Sequence, residues 1–237
     1  KTKASKRDEI REYAYQYREG KAIDGIWGYK CLGFFATDEE AAAVDQSALG
    51  SSNLKAGDLK YADINNDGKI NQDDQVMLAK GGWYGAPFFM GVNLSAKWKG
   101  FTIFVHGLGS YGGHGMLNDN LYYKMVGDNK YSAMARERWT PATAATATMP
   151  RLTTTNGANN YVASDFWLYS TDRFDIDKIQ LTYDFPSSII HGIVKGLQVY
   201  VSGDDLLTIG KNRKIMEMNV GSAPQSRFYN IGAKVTF

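Results

Sequence analysis

The chain has 237 residues, with 27 Lys+Arg against 25 Asp+Glu and a formal charge of +2, so it offers no electrostatic case for a nucleic-acid partner, which would want a basic stripe. Charged residues at 22% and hydrophobic ones at 43% exclude a disordered chain, while 13% aromatics and 25 Gly beside 5 Pro favour strands and turns. Cys31 is the single cysteine, which excludes an intrachain disulfide and a cysteine-based zinc site. His106, His114 and His191 are too few and too scattered to suggest a metal cluster. No run of about 18 apolar residues occurs, so a membrane helix is excluded. A membrane strand alternates and escapes that test. The chain opens at Lys1 with neither Met nor a signal peptide, and is expected to be mature, processed or a fragment.

In chain order, the polar stretch from Ser5 to Glu19 predicts a short helix. Ile26 to Phe35 has strand-like residues interrupted by Gly28 and Gly33, which suits a packed loop or short ribbon. Asp38 to Leu49 predicts a second helix with Thr37 or Asp38 as N-cap. From Met90 the pattern changes to long alternation. Val92, Leu94, Ala96 and Trp98 alternate with Asn93, Ser95 and Lys97, and Lys99-Gly100 turns the chain into Phe101, Ile103 and Val105. Met116 to Arg138 has helical composition in parts. Ile179, Leu181, Tyr183 and Phe185 form a third alternating set, ended by Pro186. Leu197, Val199 and Val201 form a fourth, and Tyr229, Ile231, Ala233, Val235 and Phe237 a fifth.

These five strands are joined unequally. Lys99-Gly100 and Pro186 to Lys195 are short connections, whereas 111–172 and 204–226 are long. Short turns at one end and long loops at the other are the asymmetry of an outer-membrane barrel, and about ten residues per strand suit a tilted crossing. A soluble β-sandwich alternates as well. The last strand, apolar at every second position and ending in Phe237, favours the membrane reading, because it matches the signal read by the barrel-assembly machinery. Five strands cannot close a barrel, which needs about eight or more. An open edge in hydrocarbon leaves backbone groups unpaired, so strands of this kind imply a larger whole.

The sharpest local motif runs from Asp63 to Asp74. Asp63, Asn65 and Asp67 occupy loop positions one, three and five. Gly68 falls at six, the Lys69 carbonyl at seven and Asp74 at twelve, which is the EF-hand ligand order. Hard oxygen ligands at this spacing point to Ca²⁺, with Mg²⁺ as the alternative ion. The competing reading is an Asx-rich turn holding only water. The flanks do not form a paired-helix sensor, so the ion is expected to act as a loop clamp and not as a switch.

Many segments in one order resemble the C-terminal part of SusC-type (SusC/RagA) TonB-dependent outer-membrane receptors of Bacteroidetes. The resemblance covers nearly the whole chain from about Gly20. It rests on Gly25-Ile-Trp-Gly-Tyr-Lys, on Ala56-Gly-Asp-Leu-Lys-Tyr-Ala-Asp-Ile-Asn-Asn-Asp-Gly-Lys-Ile-Asn and on Arg138-Trp-Thr-Pro. It continues through Arg173-Phe-Asp-Ile-Asp-Lys-Ile-Gln-Leu-Thr-Tyr-Asp-Phe-Pro and Leu197-Gln-Val-Tyr-Val-Ser-Gly-Asp-Asp-Leu-Leu-Thr. Asp205 stands where the family has Asn, and Met216-Glu217-Met218 where Asp-Pro-Glu is expected. The resemblance implies an all-β fold: the last strands, about five, of a transmembrane barrel of about 22 strands, with long extracellular loops containing short helices. Residues 1–89 would be an extracellular loop region carrying the cation loop at 63–74. Residues 90–237 would be C-terminal barrel strands with the extracellular loops 111–172 and 204–226, and Phe237 would end in the periplasm. The plug, the upstream strands and the TonB-contacting segment would lie outside this chain. A SusD-like lipoprotein would be the partner and an oligosaccharide or peptide the cargo.

Other candidates are weaker. Trp83-Tyr84, Phe88-Phe89, Tyr111, Tyr122-Tyr123 and Trp139 could stack on sugars, but interface girdles and loop packing use the same rings. Glu39-Glu40 and Asp204-Asp205 read as solvated charge or a turn rather than general acid–base pairs. No strand-turn-helix nucleophile elbow is present. The chain is expected not to be an enzyme. The alternative to transport is a soluble calcium-stabilised β-domain that binds glycan or protein.

Overall fold

The computed structural model describes residues 6, 8–81, 88–127, 131–155, 157–190, 192–219 and 223–237. Its strands are β1 (Ile26–Gly28), β2 (Cys31–Phe34), β3 (Leu59–Tyr61), β4 (Val76–Ala79), β5 (Phe88–Trp98), β6 (Phe101–Tyr111), β7 (His114–Met116), β8 (Leu168–Ser170), β9 (Arg173–Asp184), β10 (Gly196–Ile209) and β11 (Phe228–Thr236), with helices α1 (Asp38–Ala42) and α2 (Arg213–Met218). The chain divides into two compact units, residues 1–85 with 114–169 and residues 86–113 with 170–237. Among the described residues no helix is long and apolar enough to cross a membrane.

The second unit is one antiparallel sheet in the order β11-β10-β9-β6-β5. Its strands run 11, 11, 12, 14 and 9 residues in chain order. At a rise of ~3.3 Å per residue, eleven residues tilted by about 45° cover ~25 Å, the height of a barrel's apolar band. The β5–β6 connection is a two-residue type I′ turn, with φ of 44° at Lys99 and 85° at Gly100. Register places Ala96, Ile103, Leu181, Val201 and Ile231 in one row and Leu94, Val105, Ile179, Gly203 and Tyr229 in the next. The opposite face carries Ser95, Phe104, Gln180, Ser202 and Asn230 in one row and Lys97, Thr102, Thr182, Tyr200 and Gly232 in another. The apolar face is open: Leu94 is 61% and Ile231 85% exposed. The fold is that of an all-β barrel part.

Two strands run further than simple alternation predicts. β9 begins at Arg173 rather than Ile179, and β10 continues to Ile209 rather than stopping before 204. The reason is a pair of neighbouring bulges. Register slips between His106 and Gly107 on the β6–β9 ladder and between Asp204 and Leu207 on the β9–β10 ladder. Each bulge shifts the apolar phase by one residue, so Phe174 and Ile176 do not continue the period of Ile179 and Leu181.

The first unit is built from short ribbons: β1 with β4, β2 with β3, and β7 with β8. The predicted helix at Ser5–Glu19 is replaced, among its described residues, by two 3₁₀ turns, Asp8–Ile10 and Ala14–Gln16. The Asp8 carboxylate accepts the N–H groups of Arg18 and Glu19 at 2.9 and 3.0 Å and closes the segment into a loop. The helix predicted for Asp38–Leu49 forms only as far as Ala42, with Thr37 as its N-cap. The chain leaves the helix there, and Gln46 turns inward. Across Met116–Arg138 the described helical structure is one 3₁₀ segment, Ala133–Glu137, capped by Ser132.

Candidate functional site

A buried polar hub holds the first unit together. Asp58, Asn159, Asn160 and Gln46 are all buried. Asp58 Oδ1 accepts from Arg151 Nε and Asn160 Nδ2, both at 2.8 Å, and its Oδ2 accepts Lys55 N–H at 2.9 Å. Gln46 donates to the Leu59 carbonyl at 3.1 Å and to Asn159 Oδ1 at 2.7 Å, while its oxygen accepts Tyr61 N–H at 2.9 Å. Asn160 Oδ1 accepts Leu59 N–H at 2.7 Å. The side chains therefore complete the hydrogen bonding of β3 on the side that β2 does not cover. Gly57, at φ 86°, lets the backbone pass against the Trp139 ring, where a Cβ would come within 2.4 Å of it.

The cation loop leaves this hub directly after β3. Asp63 Oδ1 accepts Asp67 N–H at 3.2 Å and Oδ2 accepts Gly68 N–H at 2.8 Å. Asn65 Oδ1 accepts Asp67 N–H at 3.1 Å, and Asp67 Oδ1 accepts Lys69 N–H at 2.8 Å. The side chains at positions one, three and five thus converge on one tight turn, which Gly68 permits at φ 83°. Ile70 is buried and donates its N–H to the Asp45 carbonyl at 2.8 Å, anchoring the far side. Asp74 is fully buried; its Oδ1 accepts Ile64 N–H at 2.7 Å and its Oδ2 accepts Asn71 N–H at 2.8 Å. It clasps both ends of the loop. Among the described residues no three His, Cys, Asp or Glu side chains gather as a metal-holding group.

The segment 11–16 packs over the loop's exit. Tyr15 Oη donates to the Asp73 carbonyl at 2.6 Å, and Arg11 lies 3.7 Å from the Asp73 carboxylate. Burial, then the negative charge of Asp74 and its neighbours, pushes the Tyr15 phenol up to about 12. Gln16 donates to the Gln72 and Asp73 carbonyls at 3.2 and 3.1 Å.

The remaining sequence candidates separate cleanly. Cys31 is pushed up to about 11 by burial, which suits a packed thiol and not a nucleophile. Glu40 pairs with Lys60 at 2.8 Å beside the start of α1. Asp204 and Asp205 lie in β10 at its bulge, not in a turn, and Asp204 meets Lys178 at 3.3 Å and Asn230 at 2.8 Å. Tyr123 and Trp139 are buried packing residues, while Phe88 and Tyr111 are strand residues with ring centroids 6.2 Å apart. Trp83, Tyr84 and His191 lie outside the described residues. Sequence reading missed a polar cavity of about 380 Å³ in the second unit, lined by Asp175, Asp177, Asp205, Thr208 and Gln225 among others. Within it Asp175 is held by Arg173 at 2.9 Å and Thr208 at 2.6 Å. The broken alternation around Asp177 and Asp205 was the available signal.

A sheet with one open apolar face, one polar face, short turns at one end and long excursions at the other defines a piece of a membrane barrel wall. No family model matches the chain. In sequence it is 27% identical over 246 residues to the TonB-dependent receptor P26 of Formosa agariphila, a match covering 92% of this chain and 23% of that protein. In backbone it is similar to the RagAB peptide transporter, with a TM-score of 0.65 at 18% identity over 90% of this chain and 23% of the other. The RagAB peptide importer in its open-open state gives a TM-score of 0.63 at 18% identity, covering 89% and 22%. The chain thus spans under a quarter of the length of the proteins it matches. The chain is therefore similar in sequence to part of a TonB-dependent receptor, and its backbone has the fold of part of the RagAB structures.

Proposed function

We propose that the chain forms part of the wall and loops of an outer-membrane TonB-dependent importer that takes up a peptide or an oligosaccharide with a SusD-like lipoprotein. The observation that carries this reading is the two-faced sheet. Its large apolar residues are exposed on one side in register across five strands, and its polar residues line the other. A soluble β-domain would cover such a face, because leaving it in water forfeits about 25 cal/mol per Å². The likeness to RagAB favours a peptide over a glycan.

In this reading residues 1–89 are an extracellular region, the connections within 111–172 and 204–226 face outward, and Phe237 lies at the periplasmic end. The plug, the remaining strands and the TonB contact belong to the rest of the receptor. The loop at Asp63, Asn65, Asp67, Lys69 and Asp74 is a Ca²⁺ or Mg²⁺ clamp. Each carboxylate oxygen there that accepts one N–H keeps a lone pair for an ion. The Lys69 carbonyl would complete the set, and the ion would supply rigidity and no chemistry.

Electrophoresis of native outer membranes, boiled and unboiled, with peptide identification of every band, tests the assembly. The expected result is a large heat-labile species holding this chain's peptides, upstream barrel peptides and a lipoprotein. A species that stays soluble without detergent at the size of this chain alone would overturn the reading. Uptake of labelled peptide against labelled oligosaccharide by cells with and without the receptor decides the cargo.

A further inference from the structure

The two ends of the sheet differ in charge. The long-loop end carries acids as well as cations: Asp175 pairs with Arg173, Asp204 with Lys178, and Glu217 with both Arg213 and Arg227, while Asp177 and Asp205 have no Lys or Arg partner among the described residues. At the short-turn end the one acid, Asp184, is engaged by Lys97 at 3.3 Å and Gln198 at 2.6 Å. Among the described residues, Lys99, Lys195 and Lys234 have no carboxylate partner there. This rim therefore carries three lysines with no acidic side chain paired to them.

The same rim is aromatic on its apolar face. Trp98 is 69% exposed and its ring lies under Lys99 Nζ, 4.8 Å from the centroid. Phe101 pairs with Trp98 across the turn and packs on Tyr183 at 4.5 Å, and Tyr183 packs on Phe185 at 4.9 Å. The connection 186–195 adds Ile189 and Ile193, the latter 82% exposed, on the same stretch as exposed Lys195. Exposed aliphatics beside free lysines and rings with an apolar body fit neither bulk water nor hydrocarbon alone. They fit the boundary between acyl chains and anionic headgroups.

We propose that the short-turn rim binds an anionic phospholipid of the facing leaflet, with Lys99 and Lys195 meeting the headgroup phosphate and Trp98, Phe101 and Tyr183 lying at the glycerol–acyl boundary. The inference rests on the barrel reading above and adds to it a lipid of defined charge at a defined end. The Lys99–Trp98 stack holds the ammonium over the aromatic rim, and Lys195 is tied at its backbone to Thr236 O at 2.7 Å. The two cations are thus placed along one rim by the two turns, and phosphatidylethanolamine, being zwitterionic, would satisfy them less well.

The test uses the whole receptor containing this chain, reconstituted in vesicles of phosphatidylethanolamine with a minor fraction of phosphatidylglycerol. After re-extraction, native mass spectrometry counts the phosphatidylglycerol that stays bound. Lys99→Gln with Lys195→Gln should weaken retention by about fivefold per lysine. Lys211→Gln with Lys214→Gln, the same charge change at the long-loop end, should leave it unchanged. Heat-modifiable migration of each variant checks that the barrel has assembled. If the rim variant retains phosphatidylglycerol as the parent does, or if both pairs reduce it equally, the lipid site is overturned while the barrel stands. If the parent protein does not float with these vesicles, the barrel reading fails and the rim site with it.

Discussion

A carboxylate shut away from solvent must find its hydrogen bonds inside, and Asp58 takes them from Arg151, Asn160 and Lys55. Asp58→Ala leaves the Arg151 guanidinium and an amide without their acceptor, and should cost about 3 kcal/mol. Urea unfolding of the first unit's near-UV signal against that of Asp58→Asn measures this, and an equal midpoint for parent and Ala variant contradicts it. Tyr161 offers a pH test. It is buried, donates to the Met125 carbonyl at 3.2 Å, and burial pushes its phenol up to about 12. The folded value lies above the unfolded value of ~10. The linked stability is therefore intact below pH ~10 and lost as pH rises through about 12. Absorbance at the tyrosinate band should show Tyr161 titrating with alkaline unfolding, and Tyr161→Phe should remove that component.

Along a strand, adjacent residues meet different solvents. Leu94 belongs to the exposed apolar row and Ser95 to the polar row. Leu94→Lys should cost about 2–4 kcal/mol in a bilayer, whereas Ser95→Lys should be close to neutral. The fraction of heat-modifiable barrel after refolding into lipid reads the difference, and equal yields would mean that the face assignment is wrong. The cation loop is an element-scale question too. If Ca²⁺ clamps it, Ca²⁺ at about a hundredfold over its dissociation constant should raise stability by ~2.7 kcal/mol. Asp63→Ala should abolish that response while Asp45→Ala, outside the ligand set, should keep it. A melting temperature indifferent to Ca²⁺ and to chelator would leave the Asx turn alone. The bulges at Asp177 and Asp205 belong to this scale as well. They hide six residues at the start of β9 from a period-two reading and turn the acids into cavity lining.

For the molecule as a whole, an open apolar face sets the solvent. Diluting the detergent-solubilised protein below micelle concentration should sediment it, and added phospholipid should keep it dispersed. A clear supernatant without lipid would count against a membrane wall. Much of this was legible beforehand, because β-strand side chains alternate with a strict period of two and each strand's own residues declare its two faces. Thr37 as a cap, the tight turn at Lys99-Gly100 and the loop from Asp63 to Asp74 were likewise local, since each depends on residues within one turn of chain. The sequence by itself determined the alternating stretches of the five long strands, the two faces of those stretches and the loop's oxygen pattern. Only the tertiary structure decided that Gln46, Asp58 and Asn160, more than a hundred residues apart at their extremes, form one buried hub, that Asp8 and the Gln46 network end or replace two predicted helices, and that neighbouring bulges align in adjacent strands. Those outcomes depend on partners distant in the chain, and helix propensity yields wherever a side chain is needed elsewhere to satisfy a buried group.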